Sequence, residues 1–597
     1  MLVACGKNKA IASAVAKHYA FGRVLVSNNL PSSKKKTTFA CRKVYFYMTD
    51  KTVNADFVFE VSWEVCNKVG GIHTVLKSLS PTLHSIFGDN LVFLGPDLNT
   101  CEFTEDKSLN PLWQDALRTA GLKFRIGRWN IHSTPMVILV DIHQFLNKKN
   151  SIYEAMWNDF RVDSLCSYGD YDESSMWAYA CGKVVETITQ SCIERKKHVV
   201  LQAHEWQSAM ALLCVKKNLP HSIATVFTTH ATTVGRSICD NGKCLYKYFD
   251  KYNGDGMAHE LNVVAKHTSE KAAAIFADCF TTVSETTNRE CASLLGKQAD
   301  VILPNGFNVS DLPPAKLLTA RRRMMRKKIL AIVGALCGMC FDDEDTVIIS
   351  TSGRNDYKPK GFDVYMEALR RLQKETIQKE VIALIEVPCW VMGPRADLLN
   401  RLETRANYSS ALPNPFITHD LHNFDYDRIV NTIKSLDLDK STLSGHVHVL
   451  LIPSYLDGKD GIVNEQYYDL LTACDITAYP SYYEPWGYTP MESASFRVPT
   501  VTTNLAGFGC WVENLLCREP DIKDGVVLVE RNDDNYFEAS EGLKNIFLEY
   551  LHMTKSDIRI IRNNVYNIVR QADWKTFVNN YLRAFSFALN KQKDNHQ

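Results

Sequence analysis

The segment richest in chemistry-bearing residues is Tyr479-Pro-Ser-Tyr-Tyr-Glu484-Pro-Trp-Gly-Tyr488-Thr489-Pro490-Met-Glu492. A carboxylate between an aromatic and a proline, in a rigid loop, is a candidate for catalysis, and Glu484 sits in that position. The spacing of Thr489, Pro490 and Glu492 predicts a T-x-x-E capping box with Thr489 as N-cap and Pro490 as first helical residue. That box supplies a structural role for Glu492, while the amides of Tyr488 and Thr489 would form an anion site. A second segment, Gly353-Arg354…Lys360-Gly361, places two cations six residues apart around a glycine-containing loop. A forked guanidinium and a point-charge ammonium suit a diphosphate, with a structural ion pair as the competing use. In Lys68-Val-Gly-Gly71 the glycines let backbone approach a ligand and leave helix N–H groups free to bind an anion, and Lys68 adds a mobile positive charge. Such Gly-Gly turns are also common in ordinary loops. His204-Glu-Trp206 and Thr229-His230-Ala231, with Arg236 just beyond, offer imidazoles that would face a cleft or simply occupy surface turns.

These segments need elements to position them. Asp56–Ser62, Leu91–Leu94, Met136–Asp141, Val199–Ala203, Ala224–Thr228 and Cys279–Val283 are mostly unbroken apolar runs of strand length. They alternate with helical periods such as Ile72–Leu83, Gln207–Lys217 and Thr268–Ala277. Strands buried on both faces read this way, and alternating βα units predict a doubly wound parallel sheet. The rhythm breaks at Pro304-Asn-Gly306 and resumes at Val347–Ser350. It continues through a helix from Gly361, strands at Val381–Val387, Val447–Ile452 and Ile476–Tyr479, and helices at Phe537–Leu551 and Ser556–Arg570. Two Rossmann-like halves would enclose a cleft between their strand C-termini. Every segment singled out above then falls at a strand end.

Composition narrows the class. The chain has 597 residues, 45% apolar and 23% charged, which is ordinary for a globular enzyme and excludes disorder as the main state. A net charge of +1 provides no global field for nucleic acid or an anionic membrane. The charge is uneven: residues 1–49 hold nine Lys or Arg and no Asp or Glu, so the body is mildly acidic. The 18 cysteines lack the paired spacings of a disulfide framework, which predicts a reduced, cytoplasmic protein. Cys337-Gly-Met-Cys340 lacks a second pair and reads as packing rather than a zinc site. The longest apolar run, Ile329–Phe341, is shorter than the roughly 20 residues that span a bilayer. It reads as a docked linker helix.

The words Phe59-Glu-Val-Ser-Trp-Glu-Val-Cys-Asn-Lys-Val-Gly-Gly-Ile72, Phe227-Thr-Thr-His-Ala-Thr232, Phe280-Thr-Thr-Val-Ser284, Pro304-Asn-Gly306, Ser481-Tyr-Tyr-Glu-Pro-Trp-Gly-Tyr-Thr-Pro490 and Asn504-Leu-Ala-Gly-Phe-Gly509 closely resemble glycogen synthase of the animal and fungal type. The resemblance runs in order from about residue 54 to about residue 590. It implies a GT-B fold, two Rossmann-like domains with an interdomain catalytic cleft. It implies transfer of glucose from UDP-glucose to the non-reducing 4-hydroxyl of an α-1,4-glucan, with retention. Under it, Arg354 and Lys360 hold the diphosphate, supported by the Tyr488 and Thr489 amides. Tyr467 stacks on the uracil, and Glu492 accepts hydrogen bonds from the ribose. His230 and Arg236 line the glucose site beside Gly70 and Gly71, and Glu484 lies near the anomeric carbon. No metal or pyridoxal phosphate is expected, and the D-x-D triplets at 170, 425 and 437 fall at unrelated places. An ADP-glucose-preferring synthase and a non-catalytic glucan-binding protein of the same fold are the alternatives; the intact set Glu484, Arg354 and Lys360 argues against the latter.

The expected organisation is a basic extension over 1–50, a first domain over 54–312, a linker over 313–344, a nucleotide-sugar domain over 345–572 and a C-terminal helix over 573–597 that crosses back. Two departures from the resemblance stand out. The span Pro388–Ile417 is too short, and too interrupted by Pro413 and Pro415, for the long helices that build the animal-type tetramer. The stretch matching the arginine-dense regulatory helix, which the resemblance implies binds glucose 6-phosphate, keeps only Arg559, Arg562 and Arg570. The basic extension reads as transit-like, as a loose tail, or as an over-extended start before Met48. A protein beginning at Met48 should therefore keep full activity and melting temperature; a fall of several degrees in a thermal scan would show that the extension packs on the body.

Overall fold

The computed structural model describes residues 55–404 and 410–594. The expectations for residues 1–50 lie outside the described residues, as do 405–409 within the Pro388–Ile417 span.

The first half is built on a nine-stranded sheet in the order β3-β4-β5-β2-β1-β6-β7-β8-β9. Its strands are β1 (Phe57–Val61), β2 (Leu91–Pro96), β3 (Phe103–Glu105), β4 (Phe124–Trp129), β5 (Met136–Val140), β6 (Val199–His204), β7 (Ile223–Thr229), β8 (Cys279–Thr282) and β9 (Val301–Ile302). Parallel pairing runs from β5 through β9, and β3 and β4 add an antiparallel edge. The sequence reading does not include β3 and β4. Their charged, half-exposed residues lack the unbroken apolar run that marks a strand covered on both faces.

The second half carries a six-stranded parallel sheet in the order β14-β11-β10-β15-β16-β17. These are β10 (Thr346–Ser352), β11 (Glu380–Glu386), β14 (Val447–Ile452), β15 (Ile476–Ala478), β16 (Thr500–Thr503) and β17 (Val526–Val529); β12 (Val391–Pro394) and β13 (His419–Leu421) form a separate antiparallel pair. In each sheet the chain order reverses direction at the first strand, between β1 and β6 and between β10 and β15. Ligand crevices in doubly wound sheets open at such reversals, outside the carboxyl ends of the strands.

Seven helices bear on the site. They are α1 (Gly71–Phe87), α2 (Glu205–Asn218), α3 (Thr233–Asp240), α4 (Ala315–Cys337), α5 (Tyr488–Ser495), α6 (Lys555–Val569) and α7 (Trp574–Asp594). α4 is the helix predicted by the apolar run. Met325, Ile329, Ile332 and Leu336 bury against Ile348, Ile382 and Leu384 of the second sheet. Among the described residues no helix is long and apolar enough to cross a membrane. The basic side of α4 is used as well. Arg322 and Arg326 reach Asp475, which also accepts the Ile348 amide at 2.9 Å. These charges hold the buried Asp475 carboxyl down at about 2, against the opposing effect of burial.

α7 packs on the first sheet, although it follows α6 of the second half. Phe307 and Asp573 form a single parallel bridge, and the Trp574 indole donates to Ser78 Oγ at 2.8 Å. Trp574, Tyr581, Phe585 and Leu589 share one apolar cluster with Val58, Val200 and Val226 beneath them and with Trp486 and Phe508 of the second half. Burial of this much aromatic surface is the main force holding α7 across the two sheets.

Candidate active site

The site is assembled at the two reversals. In the second half, the turn after β10 carries Lys360 and the loop after β15 carries Glu484. Lys360 Nζ lies 2.6 Å from Glu484 Oε2, and both side chains are largely buried, 19% and 12% exposed. Gly361 makes this approach possible. Its φ is +75°, and a Cβ there would lie 2.0 Å from the Pro480 carbonyl oxygen. The amides of Tyr482 and Tyr483 both donate to the Pro359 carbonyl, which clamps the two loops together. Arg354 is elsewhere. It is 62% exposed and paired with Asp356 at 2.7 Å, so the two predicted cations do not converge in this structure. Its field reaches Asp240 at the end of α3, across the cleft.

The predicted capping box is not formed. α5 begins at Tyr488 with Gly487 as N-cap at φ +104°, and no side chain caps it. Helical geometry starts two residues earlier than the Thr-x-x-Glu spacing implies, because the left-handed Gly487 turns the chain directly into the first helical residue. Thr489 is thus inside the first turn, with Tyr488, and Pro490 is the third helical residue. Glu492 is released from capping and instead accepts the Tyr468 hydroxyl at 2.7 Å. Burial raises its carboxyl above the usual range, while Tyr468 and the charge of Lys68 from the first half oppose the rise. Tyr467 is half-buried, with its hydroxyl 3.0 Å from Ser352 Oγ at the end of β10.

In the first half, Gly70 and Gly71 lie at the start of α1, as expected, but the Gly70 amide faces the protein's own carboxylate. Glu64 Oε2 accepts the amides of Gly70 at 2.7 Å and His73 at 2.9 Å. This corrects the expectation of an open anion site at that turn. An internal carboxylate satisfies the helix dipole and would repel a second anion there. Gly71 faces open space and Lys68 is exposed.

The C-termini of β6 and β7 hold the most densely buried polar groups. Glu205 has φ +63°, an unfavourable conformation for a residue with a Cβ. Its carboxylate accepts the amides of His230 at 2.9 Å and Ala231 at 3.1 Å, which compensates the strain and fixes the β7 turn. Thr232 caps α3 by accepting the Gly235 amide, and Arg236 follows on the same turn. Burial works against the charge of Arg236, but Glu205, Tyr483, Asp240 and Glu290 together raise its pKa. Glu290 accepts the Thr232 amide and the Tyr483 hydroxyl, the latter from the second half at 2.9 Å. Tyr482 accepts the Leu245 amide at 2.8 Å. The two tyrosines beside Glu484 are therefore anchored in the first half. Behind them, His204 bridges His230 and Glu60: Nδ1 lies 3.1 Å from His230 Nε2, and Nε2 lies 2.8 Å from Glu60 Oε2.

The sequence reading misses Glu60, Glu64, Glu290, Tyr468 and Tyr483 as site residues. Glu60 left a signal: one carboxylate inside the otherwise apolar strand Phe57–Val61. Glu290, on an ordinary polar helix, left none.

A cation against a carboxylate at one reversal, facing buried histidines and an arginine at the other, fits group transfer with charge developing on two partners. The family profile for glycogen synthase matches residues 60–400 and 391–597. The chain belongs to the glycogen synthase family. It is 28% identical over 606 residues to glycogen [starch] synthase of Neurospora crassa, covering 91% of this chain and 85% of that protein. It is 28% identical over 597 residues to the human liver glycogen [starch] synthase, covering 89% and 83%. The catalytic domain of starch synthase IV from Arabidopsis thaliana superposes with a TM-score of 0.52 at 16% identity, covering 90% of this chain and 100% of that one. Sucrose-phosphate synthase from Thermosynechococcus elongatus gives 0.50 at 12%, covering 90% and 99%. At those identities the structures speak to fold alone, and the fold is GT-B. As a member of this glycosyltransferase family the chain has its cleft between the two sheets.

The buried carboxyls set a pH dependence. Burial lifts Glu60 and Glu270 to about 8, Glu290 to about 7 and Glu205 to about 6. Each keeps its proton to higher pH in the fold than in the unfolded chain. The stability this gives is full below the unfolded value and is lost as pH rises through the folded one. Buried His204, His230 and His267, with lowered pKa, act the other way below about pH 6.5, so melting temperature should fall between about pH 6.5 and pH 8.5, and Glu270→Gln should flatten that fall. A melting curve flat or rising across this window would remove neutral carboxyls from the account.

Proposed function

We propose that the chain is a retaining glucosyltransferase that moves glucose from UDP-glucose to the non-reducing 4-hydroxyl of an α-1,4-glucan, in the reducing cytoplasm. The observation that carries this reading is the Lys360–Glu484 contact at the topological reversal of a glycogen synthase family member. Free thiols at every described cysteine are consistent with that compartment.

In this mechanism the bond from the anomeric carbon to the β-phosphate oxygen breaks, and its electron pair leaves with UDP. Negative charge grows on the diphosphate, where Lys360, Arg354 and the first-turn amides of α5, those of Tyr488 and Thr489, oppose it. Positive charge grows on the sugar ring, where Glu484 opposes it. Lys360 and Glu484 already neutralise one another, so the pair has only to part around the reacting bond. The acceptor 4-oxygen bonds to the anomeric carbon on the same face and passes its proton to the leaving phosphate, so no second carboxylate base is required. Tyr467 stacks on the uracil and Glu492 takes the ribose hydroxyls, while His230, Arg236, Gly71 and Lys68 bound the sugar side. Arg354 reaches the diphosphate by turning from Asp356, a rearrangement open to an exposed side chain.

The direct test is a radiolabelled transfer assay with glycogen and UDP- or ADP-glucose in parallel. Incorporation from UDP-glucose supports the reading, preference for ADP-glucose would reassign the donor, and no incorporation from either would leave a glucan-binding protein. Glu484→Gln should bind donor normally and lose ~10²–10³ in turnover. Arg354→Ala should instead weaken both donor binding and rate, because the diphosphate is charged before and during reaction. Near-normal turnover in Glu484→Gln would remove Glu484 from its role.

Regulation by glucose 6-phosphate, as the resemblance implies for animal and fungal enzymes, requires an arginine cluster. On α6, Arg562 donates to the Cys474 carbonyl at 2.9 Å and lies 3.8 Å from Asp475. Arg559 and Arg570 are exposed and separated by most of the helix. One of three arginines is thus committed to the fold. Activity should change less than about twofold with glucose 6-phosphate, and light scattering should show no animal-type tetramer. A tetramer activated about tenfold, a coupling of ~1.4 kcal/mol, would defeat this.

A further inference from the structure

Glu60, His204 and His230 come from three adjacent strands, β1, β6 and the end of β7, and form one hydrogen-bonded file on a single sheet face. Glu60 and His204 are 0% and 1% exposed, and His230 is 8% exposed where the file meets the cleft. α7 closes the same face, so water is excluded from the inner end. Among the described residues Glu60 has no lysine or arginine partner. Its Oε1 is buried without a hydrogen bond, as are Gln202 Oε1 and the Tyr581 hydroxyl, whose own ionisation is affected by Glu60. His230 Nδ1 has no protein hydrogen bond among the described residues.

With both imidazoles neutral, two proton arrangements satisfy this file. In one, an ionised Glu60 accepts His204 Nε2–H, His204 Nδ1 accepts His230 Nε2–H, and His230 presents a bare Nδ1 to the cleft. That leaves a full negative charge buried with one oxygen unpartnered and no cation nearby, an unfavourable state for a desolvated carboxylate. In the other, Glu60 keeps its proton and donates to His204 Nε2. His204 Nδ1–H then donates to His230 Nε2, and the remaining proton of His230 sits on Nδ1. Every group in the second arrangement is neutral. The burial that lifts Glu60 to about 8 and depresses both imidazoles acts in the same direction.

We propose that Glu60 is a positioning residue that, as a neutral acid acting through His204, fixes His230 as a hydrogen-bond donor at Nδ1 toward a hydroxyl oxygen of the transferred hexose. This rests on the reading above that His230 bounds the sugar site. The direction of the bond matters. A histidine locked as a donor accepts no proton from the sugar hydroxyl, so it orients the hexose without competing for the proton that leaves with the diphosphate. No group is transferred and no proton is consumed in this role; the file only selects a tautomer.

The test reads the tautomer directly in the full chain. Selective ¹⁵N-histidine labelling with long-range proton–nitrogen spectra, assigned through His204→Gln and His230→Gln, should show both residues protonated at Nδ1 and bare at Nε2. Glu60→Gln keeps a donor at the same place and should preserve both tautomers and keep transfer within about threefold. Glu60→Leu removes the donor; the His230 signal should shift toward the Nε2–H form, and kcat should drop ~10–100-fold with the KM for glucan unchanged. His230 found as the Nε2–H tautomer in the wild-type protein would overturn the proposal. So would Glu60→Leu leaving both spectrum and kcat untouched. If Glu60→Leu does not fold, the wild-type spectrum and the Glu60→Gln rescue decide alone. The spectrum requires no turnover, so a wild-type protein that transfers no glucose would count against the function and not against this assignment.

Discussion

The site depends on one close passage of backbone. The turn Lys360–Gly361 and the strand end Tyr479–Pro480 meet so tightly that no side chain fits at residue 361. Because they meet, Lys360 and Glu484, 124 residues apart in sequence, share a 2.6 Å contact. From the same loop Tyr482 and Tyr483 reach the first half, touching the Leu245 amide and Glu290. Any widening of the Gly361 turn would therefore move the carboxylate, its cation and the interdomain anchors together. Two hydrogen bonds to the Pro359 carbonyl and an apolar cluster around Leu245, Tyr482 and Tyr483 hold the passage in register.

Buried charge is handled in two opposite ways in the two halves. Asp475 is kept ionised by Arg322 and Arg326, with Arg562 close by, and it ties the connecting helix to the first strand of the second sheet. Breaking one partner there would strand a buried charge. At the strand ends of the first half, Glu60 and Glu270 have no such partners among the described residues, and burial raises their carboxyls as it does that of Glu290 beside Arg236. The first arrangement builds scaffold, since a saturated ion cluster has nothing left to offer a ligand. The second leaves polar groups whose protons and lone pairs still have unmet capacity, and it lies directly beneath the cleft.

The elements were largely legible in the sequence because strands covered on both faces must be apolar throughout. The runs at Val58, Val92, Val137, Val200, Ile348 and Leu450 all lie in strands. β3 and β4 escaped because an antiparallel edge carries no such demand, and the short parallel strands β9, β16 and β17 are likewise missing from the sequence reading. At the site, the Ser481–Glu492 segment carried Glu484 plainly. Its helix cap differs from the sequence expectation, since Thr489, Pro490 and Glu492 satisfy a local rule that Gly487 pre-empts. The Gly-Gly turn reads as open in the sequence, since no local pattern reveals that Glu64 folds back onto the amides of Gly70 and His73.

The sequence by itself determined the alternation of buried strands and helices, the family and the identity of the residues able to do chemistry, because composition along each run and the words at strand ends are local properties. Only the tertiary structure decided which of those residues meet. Strand order put Glu60 beside His204 and His230, the passage at Gly361 put Lys360 on Glu484, and the return of α7 sealed the sheet face above them. Each of these joins segments tens to hundreds of residues apart, and nothing in local spacing encodes a distance that only folding the chain creates.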